Sequence, residues 1–166
     1  MHHDKDCLML SFRPLLSEDQ TALWNWLHVA LWDPPPAGLR PRSVLDHPEV
    51  SIYAQDWGKP GDVGVVAVLD GVDIGACWMR MLKDQVGLAW VDNQTPQLGI
   101  SLGAAYQHQG HGGKMMRAAL EAARQAGYRQ VSLTVHPQNP ARQLYARCGF
   151  EELEMREGFY LMRARL

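Results

Sequence analysis

The chain has 166 residues, 46% hydrophobic and 20% charged, with 16 Lys and Arg against 18 Asp and Glu for a formal charge of −2. That length makes one domain, able to bury about two thirds of the surface its unfolded chain exposes, and the near-neutral charge argues against nucleic acid or an acidic membrane as partner. Residues 1–7 carry no apolar signal region and no run approaches the ~20 residues of a membrane span, so a cytoplasmic protein with a flexible start is expected.

In chain order, residues 8–12 read as a strand, and Ser17 with Gln20 three positions later reads as a capping box opening a helix that runs to about Leu31. Leu23, Trp24, Leu27, Ala30 and Leu31 recur on its apolar face. The prolines of Trp32-Asp33-Pro34-Pro35-Pro36-Ala37-Gly38 impose a loop, and a second helix is read at 50–57. Residues 63–69 and 74–82 read as a hairpin turned by Asp70-Gly71. Cys7, Cys77 and Cys148 are too widely spaced for a disulfide frame or a metal site, and Cys77 and Cys148 read as small core residues.

The strand 98–102 leads into Gln107-His108-Gln109-Gly110-His111-Gly112-Gly113, and Lys114 begins a helix to Ala126 with Met115, Met116, Ala119, Leu120 and Ala123 on its buried face. Glycines between a strand and a helix let the backbone approach a ligand, and the free N–H groups and positive dipole end of the helix suit an anion. A diphosphate-bearing cofactor is the leading inference. The spacing is neither G-x-G-x-x-G nor a P-loop, since Gly113-Lys114 is followed by Met115. A strand at 131–135, a helix at 141–148 capped by Asn139-Pro140 and ended by Gly149, and two strands at 150–155 and 159–165 complete the chain.

Gln107 through Gly112, as Q-x-x-G-x-G, resembles the acyl-CoA pyrophosphate loop of the GCN5-related N-acetyltransferase superfamily. Asn139, Leu144-Tyr145 and Gly149-Phe150 resemble a second motif of that superfamily, in the right order. Residues 57–67 and 75–80 are similar to a bacterial branch of it. The resemblance implies a mixed α/β fold, a mostly antiparallel central sheet with splayed central strands flanked by helices. It implies an acyltransferase that moves the acetyl group of acetyl-CoA, without a metal, to a primary amine on a small molecule, amino acid or peptide. The alternative is a non-catalytic acyl-CoA-binding sensor or partner subunit. A homodimer is open.

The main chain of Ile100 and Leu102 is implied to meet the pantetheine arm, with residues 107–114 at the pyrophosphate and Asn139 at the arm. His108 and His111 read as phosphate neighbours or solvated side chains. Tyr145 is the proton donor for the departing thiolate, a phenol near pKa ~10 suiting that task, with core packing as its other reading. In the resembling branch a Glu often precedes the 98–102 strand, and here Gln97 cannot accept a proton. His136 and Asp92 are the substitute bases, with a water relay as the other route. Trp32, Asp33, Trp78, Arg80 and Gln97 are the candidate acceptor contacts, and core filling also accounts for the tryptophans.

Overall fold

The computed structural model describes residues 9–166, so the segment 1–7 expected to be flexible, Cys7 and Leu8 lie outside the described residues. Seven strands form one sheet, β1 (Leu10–Pro14), β2 (Val63–Leu69), β3 (Val72–Arg80), β4 (Gln97–Leu102), β5 (Gln130–Val135), β6 (Phe150–Arg156) and β7 (Phe159–Arg165), in the order β1-β2-β3-β4-β5-β7-β6. All neighbours are antiparallel except β4 and β5. Helices α1 (Gln20–Ala30), α2 (Pro48–Ser51), α3 (His111–Gln125) and α4 (Ala141–Arg147) flank it. This is the mixed, mostly antiparallel α/β architecture expected. Among the described residues no helix is long and apolar enough to cross a membrane.

Two apolar layers hold the helices. Met115, Met116, Ala119 and Ala123 of α3 and Tyr145 of α4 pack on Val65, Cys77, Met79 and Leu133. On the other face Leu23 and Leu27 of α1 pack with Leu45 and Trp57 against Val66, Ala76 and Trp78. The run from Ile74 to Arg80 in β3 is accordingly buried on both sides, as a central strand covered on two faces must be. Asp70 and Gly71, both at positive φ, make the tight turn between β2 and β3.

Several boundaries differ from the sequence reading, β3 running Val72–Arg80 rather than 74–82 among them. β1 sits later because its ladder against β2 runs from Leu10↔Leu69 to Pro14↔Val65, and a proline is tolerated in an edge strand. Ser17 is not the side-chain cap of α1: Ser17–Asp19 is a 3-10 turn, and Asp19 Oδ2 accepts from Leu16 N at 2.8 Å. The helix read at 50–57 shrinks to α2 and a string of turns. The ladder ends where Asp56 takes positive φ and Trp57 N donates to Gln20 Oε1, and Arg80 takes the carbonyls of Ile52, Gln55 and Asp56.

Arg80 is therefore structural. Its guanidinium holds Asp62 through two hydrogen bonds of 3.0 and 2.8 Å, both side chains are 4% exposed, and it lies 5.3 Å from the Trp57 ring centre. Removing one member strands the other without solvent. Arg80→Met is expected to cost about 3–5 kcal/mol in denaturant unfolding, with part recovered in Arg80→Met combined with Asp62→Leu. An unchanged midpoint in the single variant would show that the pair does not hold the turn.

Candidate active site

β4 and β5 run parallel but share one register pair, Gln97↔Ser132, fastened by Ser132 N donating to Pro96 O at 3.1 Å. Beyond it they part. On its other side β4 stays paired with β3 out to Leu102, and Gly103 N donates to Ile74 O at 2.8 Å in the same register. Alternation along an antiparallel ladder then turns the backbone groups of Ile100 and Leu102 away from β3 and into the gap. The Leu102 carbonyl is met there by the Gln107 amide, at 2.9 Å. Ile100 has no ladder partner on that side.

The glycine turn closes one corner of this region. His108 and Gly110 both take left-handed backbone, at φ 63 and 86, and α3 starts at His111 rather than at Lys114. Gly110 through Gly113 present the first N–H groups of a long helix, which have no carbonyl one turn earlier to bond. Gly112 and Gly113 lie against Leu144, where an added Cβ would stand 3.3 and 3.5 Å from its methyls. Turn and Tyr145 thus share a corner. Gln107, His108, Gln109 and Lys114 are exposed. His111 is not solvated, as its ring is buried with neither nitrogen bonded. Free helix N–H groups beside unpaired strand backbone form a donor set that fits a diphosphate with an amide-bearing arm.

A cavity of about 900 Å³ opens between the parted strands. Leu98, Gly99, Thr134, Val135, Asn139 and Tyr145 line it from the sheet and the start of α4. Half-buried Trp32, Arg40, Tyr53, His136 and Phe159 complete the lining. Asn139 Oδ1 accepts from Ala141 N at 2.9 Å, capping α4 while its residue faces the cavity. Tyr145 is 7% exposed, and its hydroxyl bonds no other described side chain or carbonyl. Burial first, and then neighbouring Cys77, push its phenol well above the ordinary value near ~10, so it stays neutral.

Of the remaining predicted site residues, the cavity receives Trp32 and His136, whose ring centres lie 5.6 Å apart. Nδ1 of His136 accepts from Gln138 N at 3.0 Å, which puts the proton of the neutral ring on Nε2. In that tautomer Nε2 is a donor. Asp33 sits behind Arg40, which donates to it at 2.8 and 3.0 Å and holds its carboxyl below the usual range. Asp92 is not in the cavity. Its carboxylate accepts from Gln94 N, Thr95 Oγ1 and Gln130 Nε2. Trp78 is core, with Nε1 on the Tyr53 carbonyl at 3.0 Å, and Gln97 is 1% exposed and outside the lining.

Sequence reasoning missed Arg40, Tyr53, Phe159 and the wall formed by residues 85–89. Only the left-handed turn Asp84-Gln85 and Gly87 could have marked that wall as a shaped loop.

A sequence profile of the acetyltransferase (GNAT) family matches residues 23–150, more than half of the chain. The chain belongs to the GNAT acetyltransferase family. No curated protein matches at a significant level. Solved structures share the fold. A GNAT-family acetyltransferase from Streptococcus pneumoniae aligns with a TM-score of 0.63 at 20% identity, over 95% of this chain and 100% of its own. The PaiA N-acetyltransferase from Thermoplasma acidophilum, in complex with coenzyme A, aligns at 0.66 and 15%, over 95% and 99%. A GCN5-related N-acetyltransferase from Kribbella flavida aligns at 0.67 and 18%, over 95% and 98%.

The backbone of the turn yields one test. Gly110→Ala forces a β-carbon into left-handed backbone and is expected to cost about 1–2 kcal/mol, visible as a lowered denaturation midpoint. Gly112→Ala, which meets only Leu144, should cost less. Equal stability of Gly110→Ala and the parent would show that the turn does not depend on this conformation.

Proposed function

We propose that this GNAT-family protein is a cytoplasmic N-acetyltransferase that passes the acetyl group of acetyl-CoA to a primary amine held in the outer part of the cavity. The observation that carries this reading is the gap between β4 and β5, with a glycine turn at one corner and a buried, neutral tyrosine lining the cavity there. The coenzyme A held by the Thermoplasma acidophilum relative supports the choice of co-substrate.

Bound acetyl-CoA supplies a thioester, whose carbonyl carbon accepts the amine and whose thiolate leaves. The first N–H groups of α3 hold the diphosphate, backbone of Ile100 meets the arm, and Asn139 faces the same channel. Tyr145 stands as the proton donor. Its raised pKa keeps the proton in place but makes full transfer harder, so it acts first as a hydrogen-bond donor to charge growing on sulfur. In the overall step a nitrogen–carbon bond forms and the carbon–sulfur bond breaks. The thiolate takes a proton from Tyr145, which regains one from solvent, and the amine loses one. Trp32, Tyr53 and Phe159 give the acceptor an aromatic surround suited to an amine with an apolar body.

Thermal melting with coenzyme A, acetyl-CoA, NAD and ATP tests the binding half. A ligand at a hundredfold excess over its dissociation constant adds about 2.7 kcal/mol, so only the two coenzyme A species should raise the melting temperature. Silence from both would remove the central claim. A shift without release of free thiol across a panel of amines would instead favour the sensor reading.

Tyr145→Phe tests the chemistry. Acetyl-CoA affinity should hold within about threefold while turnover falls by ~10²-fold, the scale of losing a positioned acid. An unchanged rate would reassign the residue to packing, and lost affinity would make its hydroxyl a binding group.

A further inference from the structure

Gln97 occupies the strand-entry position at which a carboxylate base was sought, and its surroundings describe a different task. The side chain is enclosed at 1% exposure, and both ends of its amide are used. Oε1 accepts from the Tyr53 hydroxyl at 2.8 Å, and Nε2 donates to the Val86 carbonyl at 2.8 Å. Tyr53 and residues 85–89 are neighbouring parts of the cavity wall, bridged by that amide. Gly87 makes the approach feasible, since a β-carbon there would lie 2.3 Å from Gln97 Oε1.

The rest of that loop is fastened the same way. Arg156 of β6 donates to the carbonyls of Leu88 and Trp90, and Ser132 of β5 donates to Ala89 O at 2.6 Å. The Gln97 contact differs because the same amide also reaches Tyr53, joining the loop to the turn after α2.

We propose that Gln97 is a positioning residue, an amide latch that needs both its donor and its acceptor to hold the 83–90 loop against Tyr53 and so to set the width of the acceptor cavity. The kinetic part rests on the acetyltransferase reading above, and the structural part does not. A carboxylate could still accept from Tyr53 but would turn two lone pairs on the Val86 carbonyl, which repels it. A protonated carboxyl restores the pattern, offering O–H to Val86 and C=O to Tyr53. Gln97→Glu should therefore work as a latch in acid and fail in alkali, the reverse of a base.

The groups facing the position are few. Tyr53 comes from the turn after α2, and Arg80 is its cross-strand neighbour on β3, bound to Asp62. Arg156 donates to the loop from β6, Lys83 and Asp84 belong to the loop itself, with Asp84 tied to Asn93, and Asp92 follows it. Ser132, the register partner on β5, does not titrate.

The test pairs hydrogen exchange of the 84–90 amides with acceptor kinetics, for the full chain and the variants Gln97→Met, Gln97→Glu and Tyr53→Phe, from pH 5 to 9. Losing the latch should speed exchange at Val86 and Trp90, whose N–H groups bond within the loop, by about tenfold. In Gln97→Met the acceptor KM should rise about tenfold, with that for acetyl-CoA within about threefold. Tyr53→Phe should shift both in the same direction by less, and decides the matter if Gln97→Met does not fold. Gln97→Glu should match the parent at the acid end and Gln97→Met at the alkaline end. Unaltered exchange in Gln97→Met and Tyr53→Phe, looser exchange with an unchanged acceptor KM, or a Gln97→Glu enzyme that improves as pH rises would overturn the proposal. If the parent acetylates no amine, the functional reading fails, while exchange still decides whether the latch exists.

Discussion

Parallel strands that diverge inside a sheet leave backbone donors and acceptors facing a gap, and buried backbone groups are costly to leave unpaired. Here the divergence begins immediately after Gln97↔Ser132, and nearly every other feature of the site is a response to it. At the closed end Pro96 O and Ser132 N hold the strands together. Farther along, Gln107 reaches back to Leu102 O, which ties the glycine turn to the end of β4. What stays unpaired, around Ile100, is the part of the gap that a ligand with its own amides can complete.

The cavity walls are loops, and loops packed against a core must find partners for their carbonyls. The turn after α2 gives three to Arg80, whose charge is balanced by Asp62. The 83–90 loop gives its own to Gln97, Ser132 and Arg156, from three different strands. Both walls are thus pinned from the sheet by side chains rather than by secondary structure of their own. Gln97 joins the two walls through one amide, accepting from Tyr53 and donating to Val86.

Features generated by local backbone physics were legible in the sequence. Asp70-Gly71 announced its turn, the Met115, Met116, Ala119 and Ala123 stripe announced the buried face of α3, and Asn139 announced a cap. The glycine turn belongs with these, because a left-handed residue before a long helix needs glycine whatever the rest of the fold does. The start of α3 was misplaced by three residues since glycines in a first turn look like loop until the helix is seen to use them. Side chains whose meaning depends on distant partners were not legible. Arg80 and Trp78 looked available for a substrate, being polar or aromatic on a strand near the site. The partners that remove them, Asp62 and the carbonyls around Tyr53, come from segments whose path no local pattern specifies.

The two halves of the site therefore differ in kind. The half beside α3 is made of main chain, so it follows from glycines, strand ends and a helix start. The other half is made of single side chains from α1, the 33–40 loop, the turn after α2, the 83–90 loop and the β6–β7 hairpin. Among the described residues, none of the predicted bases stands free in the cavity as a proton acceptor. Asp33 is spent on Arg40, Asp92 on its own turn, and His136 offers a donor because Gln138 N occupies its other nitrogen. The carboxylates that do line the cavity, Glu49 and Glu157, are exposed. On the reading proposed above, walls fixed by single side chains, rather than a dedicated base, are what this half contributes.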